Sequence, residues 1–327
     1  MDRYWYRRVE HRNAAVVIAL AVVMVSIFVA SYTLALARPA PHHLPVALVG
    51  DPARQPTLIG ALEGATHHEI DWYPYPSSAA AREAIGERTV CAALILDAGR
   101  PQLLVASATG ASVARLLELT AFEVQQQLNT PLEIHDVRPL PPSDPQGLAA
   151  FYATLGATIV GFLTMFQLRA NAAGLRLPAW LAYIAVIAVA GGLAVALVSG
   201  PILGALPGAM LSIWAALSAQ IATAALFCST MLVLIGRWAI IPTWLVFVVL
   251  GNASSGGAVA PLLLPPVYAF IGQFLPSGAT VAIVHDAVYF HDAQPIQPFL
   301  VQAAWMVAGF VALMVLVHRR GRGPDGT

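Results

Sequence analysis

Two patterns of apolar and polar positions divide the chain. Apolar residues run almost unbroken through Asn13–Ala37, Gly147–Leu168, Pro178–Val198, Ala209–Ile235 and Phe299–Val317. Each run is near or above the ~20 residues that cross ~30 Å of hydrocarbon as a helix. A shorter run, Trp238–Leu250, is interrupted by Pro242. As a helix it reaches only ~20 Å, so it is expected to begin near Gly236, with Arg237 snorkelling to the headgroups. After it come Gly251-Asn252-Ala253-Ser254-Ser255-Gly256-Gly257 and a second proline-broken run, Ala258–Leu275.

Residues 38–147 carry strand and helix periods instead. Leu44–Val49, Glu69–Tyr73, Val90–Leu96, Gln102–Ala106 and Ile134–Val137 read as strands. The third and fourth flank the turn Asp97-Ala98-Gly99-Arg100. Helices are predicted over Thr57–Thr66, over Ser77–Gly86 with Ser77 or Ser78 as N-cap, and over Ala111–Leu128. In the last, Val113, Leu116, Leu117, Ala121, Val124 and Leu128 share one face, which should point inward. The order β-α-β-α-β-β-α-β implies a small α/β domain, with Pro139–Pro145 as a stiff connector back to the apolar part.

Charge then orients these pieces. Only 10% of the 327 residues are charged, against about 25% in soluble domains. From Leu148 on the charged residues are Arg169, Arg176, Arg237, Asp286, Asp292, Arg319, Arg320, Arg322 and Asp325, too few to build a water-facing surface. Lipid is the expected solvent there. With the N-terminus inside, and with Trp238–Leu250 crossing while Ala258–Leu275 does not, ten arginines fall inside against three acids. These are Arg3, Arg7, Arg8, Arg12, Arg169, Arg176, Arg237, Arg319, Arg320 and Arg322 against Asp2, Glu10 and Asp325. The expectation is a polytopic α-helical membrane protein of about six spans, both ends cytoplasmic. Its divisions are 1–37 (N-terminus and first span), 38–147 (an extracytoplasmic α/β insertion between spans one and two), 148–318 (a five-helix membrane domain) and a tail, 319–327. The first run exceeds the length of a signal peptide's apolar core and reads as an uncleaved anchor. Residues 251–276 form a broken segment at the outer side. It either dips in and returns or lies flat, and either lines a pathway or packs as a lid. Its candidate residues are Asn252, Ser254, Ser255, Gly256, Gly257 and Pro265.

Candidate chemistry is sparse. All 17 basic residues are arginine, and a phosphate-gripping loop of the nucleotidase type needs a lysine. Nucleotide hydrolysis would therefore belong to a partner. That arginine bias, with abundant Ala, Gly, Pro and Val, suggests a GC-rich bacterial genome, and with the apolar spans the expected location is the bacterial inner membrane. No residue reads as catalytic or metal-ligating, and nothing points to a cofactor or to nucleic acid. His42-His43 and His67-His68-Glu69 are expected on a solvated surface, because adjacent histidines point apart. His285-Asp286 and His291-Asp292 read as a polar loop before the last span. Gln167, Gln220 and Gln302 are expected to bond between helices rather than to touch substrate. Tyr4, Trp5 and Tyr6 with their arginines form an interfacial anchor. Cys91 and Cys228 lie in different regimes, so no internal disulfide is expected.

Several stretches together resemble the type-2 (export) class of ABC transporter permeases, in the branch of the phage-infection protein (Pip/YhgE). They are Leu44-Pro45-Val46-Ala47-Leu48-Val49-Gly50-Asp51, Ala79-Ala80-Ala81-Arg82-Glu83-Ala84-Ile85 and Cys91-Ala92-Ala93-Leu94-Ile95-Leu96. Later come Gly251-Asn252, Ser254-Ser255-Gly256-Gly257, Leu264-Pro265 and Phe274-Leu275-Pro276. Asp97 stands where that family often has proline, and the external region is short for the branch. The resemblance implies a homo- or heterodimeric permease in the lipid bilayer, exporting a hydrophobic or amphipathic substrate with a separate ATP-binding subunit. It places the contact with that subunit on the loop Arg169–Leu177, with Arg169, Asn171, Gly174 and Arg176. The alternative is an envelope scaffold or receptor whose α/β domain binds a wall, phage or protein partner.

Overall fold

The computed structural model describes residues 2–97, 99–290 and 294–320. His291, Asp292 and the tail with Arg322 and Asp325 lie outside them, as do the side chains of the Tyr4-Trp5-Tyr6 anchor.

The chain opens with helix α1, Asp2–Leu36, and enters a mixed five-stranded sheet. The strands are β1 Leu44–Val49, β2 Ile70–Tyr75, β3 Ala92–Ile95, β4 Gln102–Val105 and β5 Glu133–Asp136, in spatial order β2-β1-β3-β4-β5. β3–β4 is the antiparallel pair; β1 runs parallel to β2 and β3, and β4 parallel to β5. Strand alternation sends Leu44, Val46 and Leu48 to one face, under α2 (Pro56–Ala65) and α4 (Ala111–Leu128). Ala47 and Val49 point to the other face, under α3 (Ser78–Gly86). These elements follow the sequence expectation closely. Ser77 is the N-cap of α3, its hydroxyl accepting from the Ala80 amide at 3.2 Å. Asn129, in the left-handed region, closes α4. On α4, Val113, Leu117, Ala121 and Val124 are buried, while Leu116 and Leu128 pack partly buried beside them.

Asp144 ends the connector. Its carboxylate accepts from the Leu148 and Ala149 amides, each at 2.9 Å, at the start of α5, Ala149–Asn171, where a helix end favours an anion. Then follow α6 (Leu177–Leu197) and α7 (Met210–Ile235), with α11 (Gln297–Arg320) as the last helix. α7 is the hub. α5 runs alongside it in the same direction, Thr158 meeting Gln220 and Phe162 meeting Cys228. α6 runs opposite, Trp180 meeting Ser229 while Gly192 abuts Ser218. α11 is again parallel, with Gln302 on Thr223 and Gly309 on Thr230.

Among the described residues, five stretches are long and apolar enough to cross a membrane: Ala14–Leu36, Ala149–Asn171, Leu177–Ile202, Met210–Asn252 and Gln297–Arg320. A bent pair, Pro266–Gly272 with Pro276–Tyr289, would make a sixth if counted as one span. The 43-residue stretch Met210–Asn252 doubles back at Gly236, whose φ of +60° and ψ of −131° break α7. Phe227 consequently lies 5.5 Å from Phe247, where 20 residues of continuous helix would separate them by ~30 Å. The returning arm is α8, Ile240–Trp244, continued as a π-helix over Leu245–Asn252. It corresponds to the short run read at Trp238–Leu250. Beside it α1 lies parallel, Ser31 donating to the Val249 carbonyl at 2.9 Å and Phe28 sitting 5.9 Å from Trp244. Elsewhere α1 exposes Val16, Val22, Val25 and Val29, an apolar surface suited to lipid.

The broken segment runs further than its sequence suggests. After Asn252 the chain turns through Pro261–Leu263, descends as α9 (Pro266–Gly272), bends by 78°, and returns as α10 (Pro276–Tyr289). The reading of 251–276 as the whole segment therefore stops at the bend, and its second limb lies beyond. His285 and Asp286 are correspondingly helical, not part of a polar loop. Proline at the first helical position, after an extended Leu275, starts the returning limb.

Candidate functional site

The bent hairpin α9–α10 is held at three levels. At its tip Gly272 lets the chain pass the Ser254 carbonyl, where an added Cβ would collide. Just above, a polar node buried from solvent joins four helices. The Gln220 amide donates to Thr158 at 2.7 Å and to Ser277 at 3.4 Å, and its carbonyl accepts from Thr280 at 3.0 Å. Thr280 also reaches Gln302 at 3.2 Å, which donates to Thr223 at 3.0 Å. Gln220, Ser277 and Thr280 are fully buried. Gln220 and Gln302 thus bond between helices as their position in apolar runs implied, whereas Gln167 accepts only from Asn171 on its own helix. On the other side of the hairpin, Tyr268 of α9 lies 3.1 Å from Ser31 of α1.

At the upper end of α10 the hairpin meets the sheet domain. Arg88 follows α3 with a φ of +61°, a position where glycine is usual, and forms an ion pair with the buried Asp286. His285 Nδ1 lies 3.5 Å from the same carboxylate. Arg88 and Arg138 sit 5.3 and 5.2 Å from the Phe290 ring centroid, which also stacks with His285 at 5.8 Å. Arg138 donates to the Tyr289 carbonyl at 2.9 Å. A second seam lies under α4: Ala260 and Leu263 complete the core beneath α2 and α4, and the Ala260 amide donates to Ser112 at 2.9 Å. His42 and Ala40 donate to the carbonyls of Leu262 and Leu263.

Between these seams lies a cavity of about 100 Å³ lined by Arg88, Ser107, Ser112, Gln146 and His285. Of the six residues read as a pathway segment, Ser255, Gly256 and Gly257 line it. The other three do not line it. Asn252 donates to the Tyr32 hydroxyl at 3.1 Å, Ser254 to the Leu250 carbonyl at 2.7 Å, and Pro265 precedes α9, its carbonyl accepting from Tyr268 at 2.9 Å. Gly257 allows close contact with α5, since an added Cβ would lie 2.9 Å from that of Phe151.

The opposite end of the bundle holds the loop between α5 and α6. Arg169, Asn171, Gly174 and Arg176 are all exposed there. Arg169 lines a cavity of about 470 Å³ shared with Trp180, Ser229 and Arg320. Asn171 donates back to Gln167, the Arg176 carbonyl accepts from Trp180, and the space at Gly174 is open.

Sequence reading passed over Arg88, Arg138, Ser277, Thr280 and Phe290, and placed Asp286 in a polar loop. Asp286 alone carried a signal: it follows 48 uncharged residues, from Trp238 to His285. An ionisable residue so placed marks a functional position once helical continuation to Tyr289 is recognised.

The architecture defines a polytopic helical protein of membrane type, with a small α/β sheet packed against its bent hairpin. Compared with protein-family models, with curated proteins and with solved structures, the chain finds no match.

Proposed function

We propose that this chain is the permease half of an ATP-driven exporter, moving a hydrophobic or amphipathic molecule outward while a separate subunit hydrolyses ATP. The observation that carries the reading is the bent hairpin. Its tip enters a buried polar node at the bundle centre, and its upper end is ion-paired to the sheet domain through Arg88 and Asp286. Non-helical backbone among membrane helices persists where protein or a water-filled cavity covers it. An element tied to both centre and outer domain is suited to relay movement between them.

Arg169, Arg176, Arg237, Arg319 and Arg320 belong to the end opposite the sheet domain. The positive-inside bias makes that end cytoplasmic and the sheet domain extracytoplasmic. The loop Arg169–Leu177 then faces the ATPase, as the resemblance to type-2 exporters implies, in a homo- or heterodimer within the bacterial inner membrane. A free-standing receptor head fits less well, because Ala260 and Leu263 from the apolar half build part of the sheet domain's core.

Co-purification from detergent, with nucleotide-dependent substrate movement measured in proteoliposomes, tests the reading. Retention of an ATPase and its loss on Gly174→Trp with Arg176→Glu are the expected results. Outward transport that persists without any ATPase would overturn the mechanism. A cysteine at His318 labelled only from outside would overturn the orientation.

A further inference from the structure

The cavity at the arginine-bearing end, between α5, α6, α7 and α11, measures about 470 Å³. That lies within the ~300–1,000 Å³ usual for small-molecule sites. Leu232 and Leu313 are buried at its inner side, and Trp180 and Val317 form part of its wall. At its edge stand two exposed arginines, Arg169 and Arg320, from different helices. Among the described residues neither is within ion-pair distance of an acid. Arg320 makes one hydrogen bond, to the Leu234 carbonyl at 3.4 Å.

Snorkelling arginines alone would set orientation without any cavity beneath them. Here two guanidinium groups stand over an apolar hollow, and that combination matches a molecule with an anionic head and a hydrocarbon body. Guanidinium forks fit phosphate oxygens bidentately, and basic pockets between membrane helices take anionic headgroups.

We propose that this cavity binds one anionic phospholipid, its head carrying a net negative charge. The phosphate lies between Arg169 and Arg320, with one acyl chain against Trp180, Leu232 and Leu313. Binding needs only the membrane setting and is independent of transport; the leaflet follows from the orientation proposed above.

The test is native mass spectrometry of the whole detergent-solubilised chain titrated with dioleoylphosphatidylglycerol, dioleoylphosphatidylcholine or inorganic phosphate. One phosphatidylglycerol retained per chain, with phosphatidylcholine bound far more weakly, is expected. Arg169→Gln or Arg320→Gln should each weaken phosphatidylglycerol roughly fivefold, and both together roughly 25-fold, with Arg320→Lys recovering part. Val317→Trp, which keeps both charges and fills the cavity, should also remove it. Equal binding of the two lipids, or an unchanged affinity in either the double variant or the Trp variant, overturns the proposal. So does displacement by inorganic phosphate at concentrations equal to the lipid, which would mark a free-anion site. Size-exclusion profiles and melting temperatures separate loss of binding from loss of fold: a variant that fails them is replaced in the test by Arg320→Lys, whose undiminished lipid binding with an intact profile would count against the bidentate contact.

Discussion

Arg88 and Asp286 lie 198 positions apart and form the ion pair that joins the sheet domain to the returning limb of the hairpin. The Asp286 side chain is 3% exposed and the Arg88 side chain 34%. Replacing Arg88 with Met leaves a buried charge without its partner, which costs ~3–5 kcal/mol when both groups are deeply buried. Water around Arg88 screens the pair, so about 2 kcal/mol is expected from Arg88→Met. The double variant Arg88→Met, Asp286→Leu should recover most of it. Thermal unfolding of the four proteins in one detergent checks this; single variants that leave the melting temperature unchanged would remove the latch.

Glycines let the bundle helices approach α7. A Cβ at Gly161 would lie 2.6 Å from the Ile221 carbonyl oxygen and 3.0 Å from Ala224, and one at Gly192 would lie 2.8 Å from the Ser218 amide nitrogen. All of these are backbone or short side-chain neighbours that cannot swing aside. Gly161→Ala and Gly192→Ala should each destabilise by about 1–3 kcal/mol, the usual cost of overpacking. Gly174→Ala, in open space, serves as the control and should leave the melting temperature unchanged.

Cys91 in the sheet domain is buried at the edge of β3, and burial pushes its thiol from 9.0 up to about 12. Its Sγ donates to the Pro45 carbonyl at 3.2 Å. The fold therefore favours the protonated form. That stabilisation is complete below pH 9 and is lost as pH rises from about 9 toward 12, because the unfolded chain releases its proton first. Since the thiolate is the nucleophile, maleimide labelling of Cys91 in the native protein should stay slow at pH 8 and become fast on unfolding. Peptide mapping distinguishes it from Cys228. Rapid native labelling at pH 8 would contradict the burial.

Much of the fold was legible because its cause is local. Alternating strands, the Ser77 cap and the inward face of α4 follow from neighbours a few residues apart. The apolar runs were equally plain, since lipid demands about 20 such residues regardless of tertiary context. What escaped was set by distant partners. Asp286 looks like a loop acid until Arg88 is seen to neutralise it, and α10 was missed with it. Ser277 and Thr280 appear as ordinary small polar residues until Gln220 and Gln302 are found facing them. The shared core at Ala260 and Leu263 likewise depends on contacts more than a hundred positions away, which no periodicity reports.

The node around Gln220 offers the sharpest dissection of the hairpin's anchorage. Interhelical hydrogen bonds in membranes average only ~0.6 kcal/mol, because unfolded helices find other partners. Gln220, however, serves Thr158, Ser277 and Thr280 together, so Gln220→Leu should cost about 1–2 kcal/mol. Gln302→Leu leaves Thr223 without this amide but spares the Gln220–Thr280 bond and should cost less. Thr280 bonds to both glutamines, so combining the two changes should depart from additivity by at least ~0.5 kcal/mol. Additive losses would mean two separate pairs and no common node. Hydrogen exchange supplies the local readout: in Gln220→Leu, amides of Pro276–Tyr289 should exchange faster while those of β1 and β3 stay protected. If protection of α10 is unchanged, the node does not hold the hairpin.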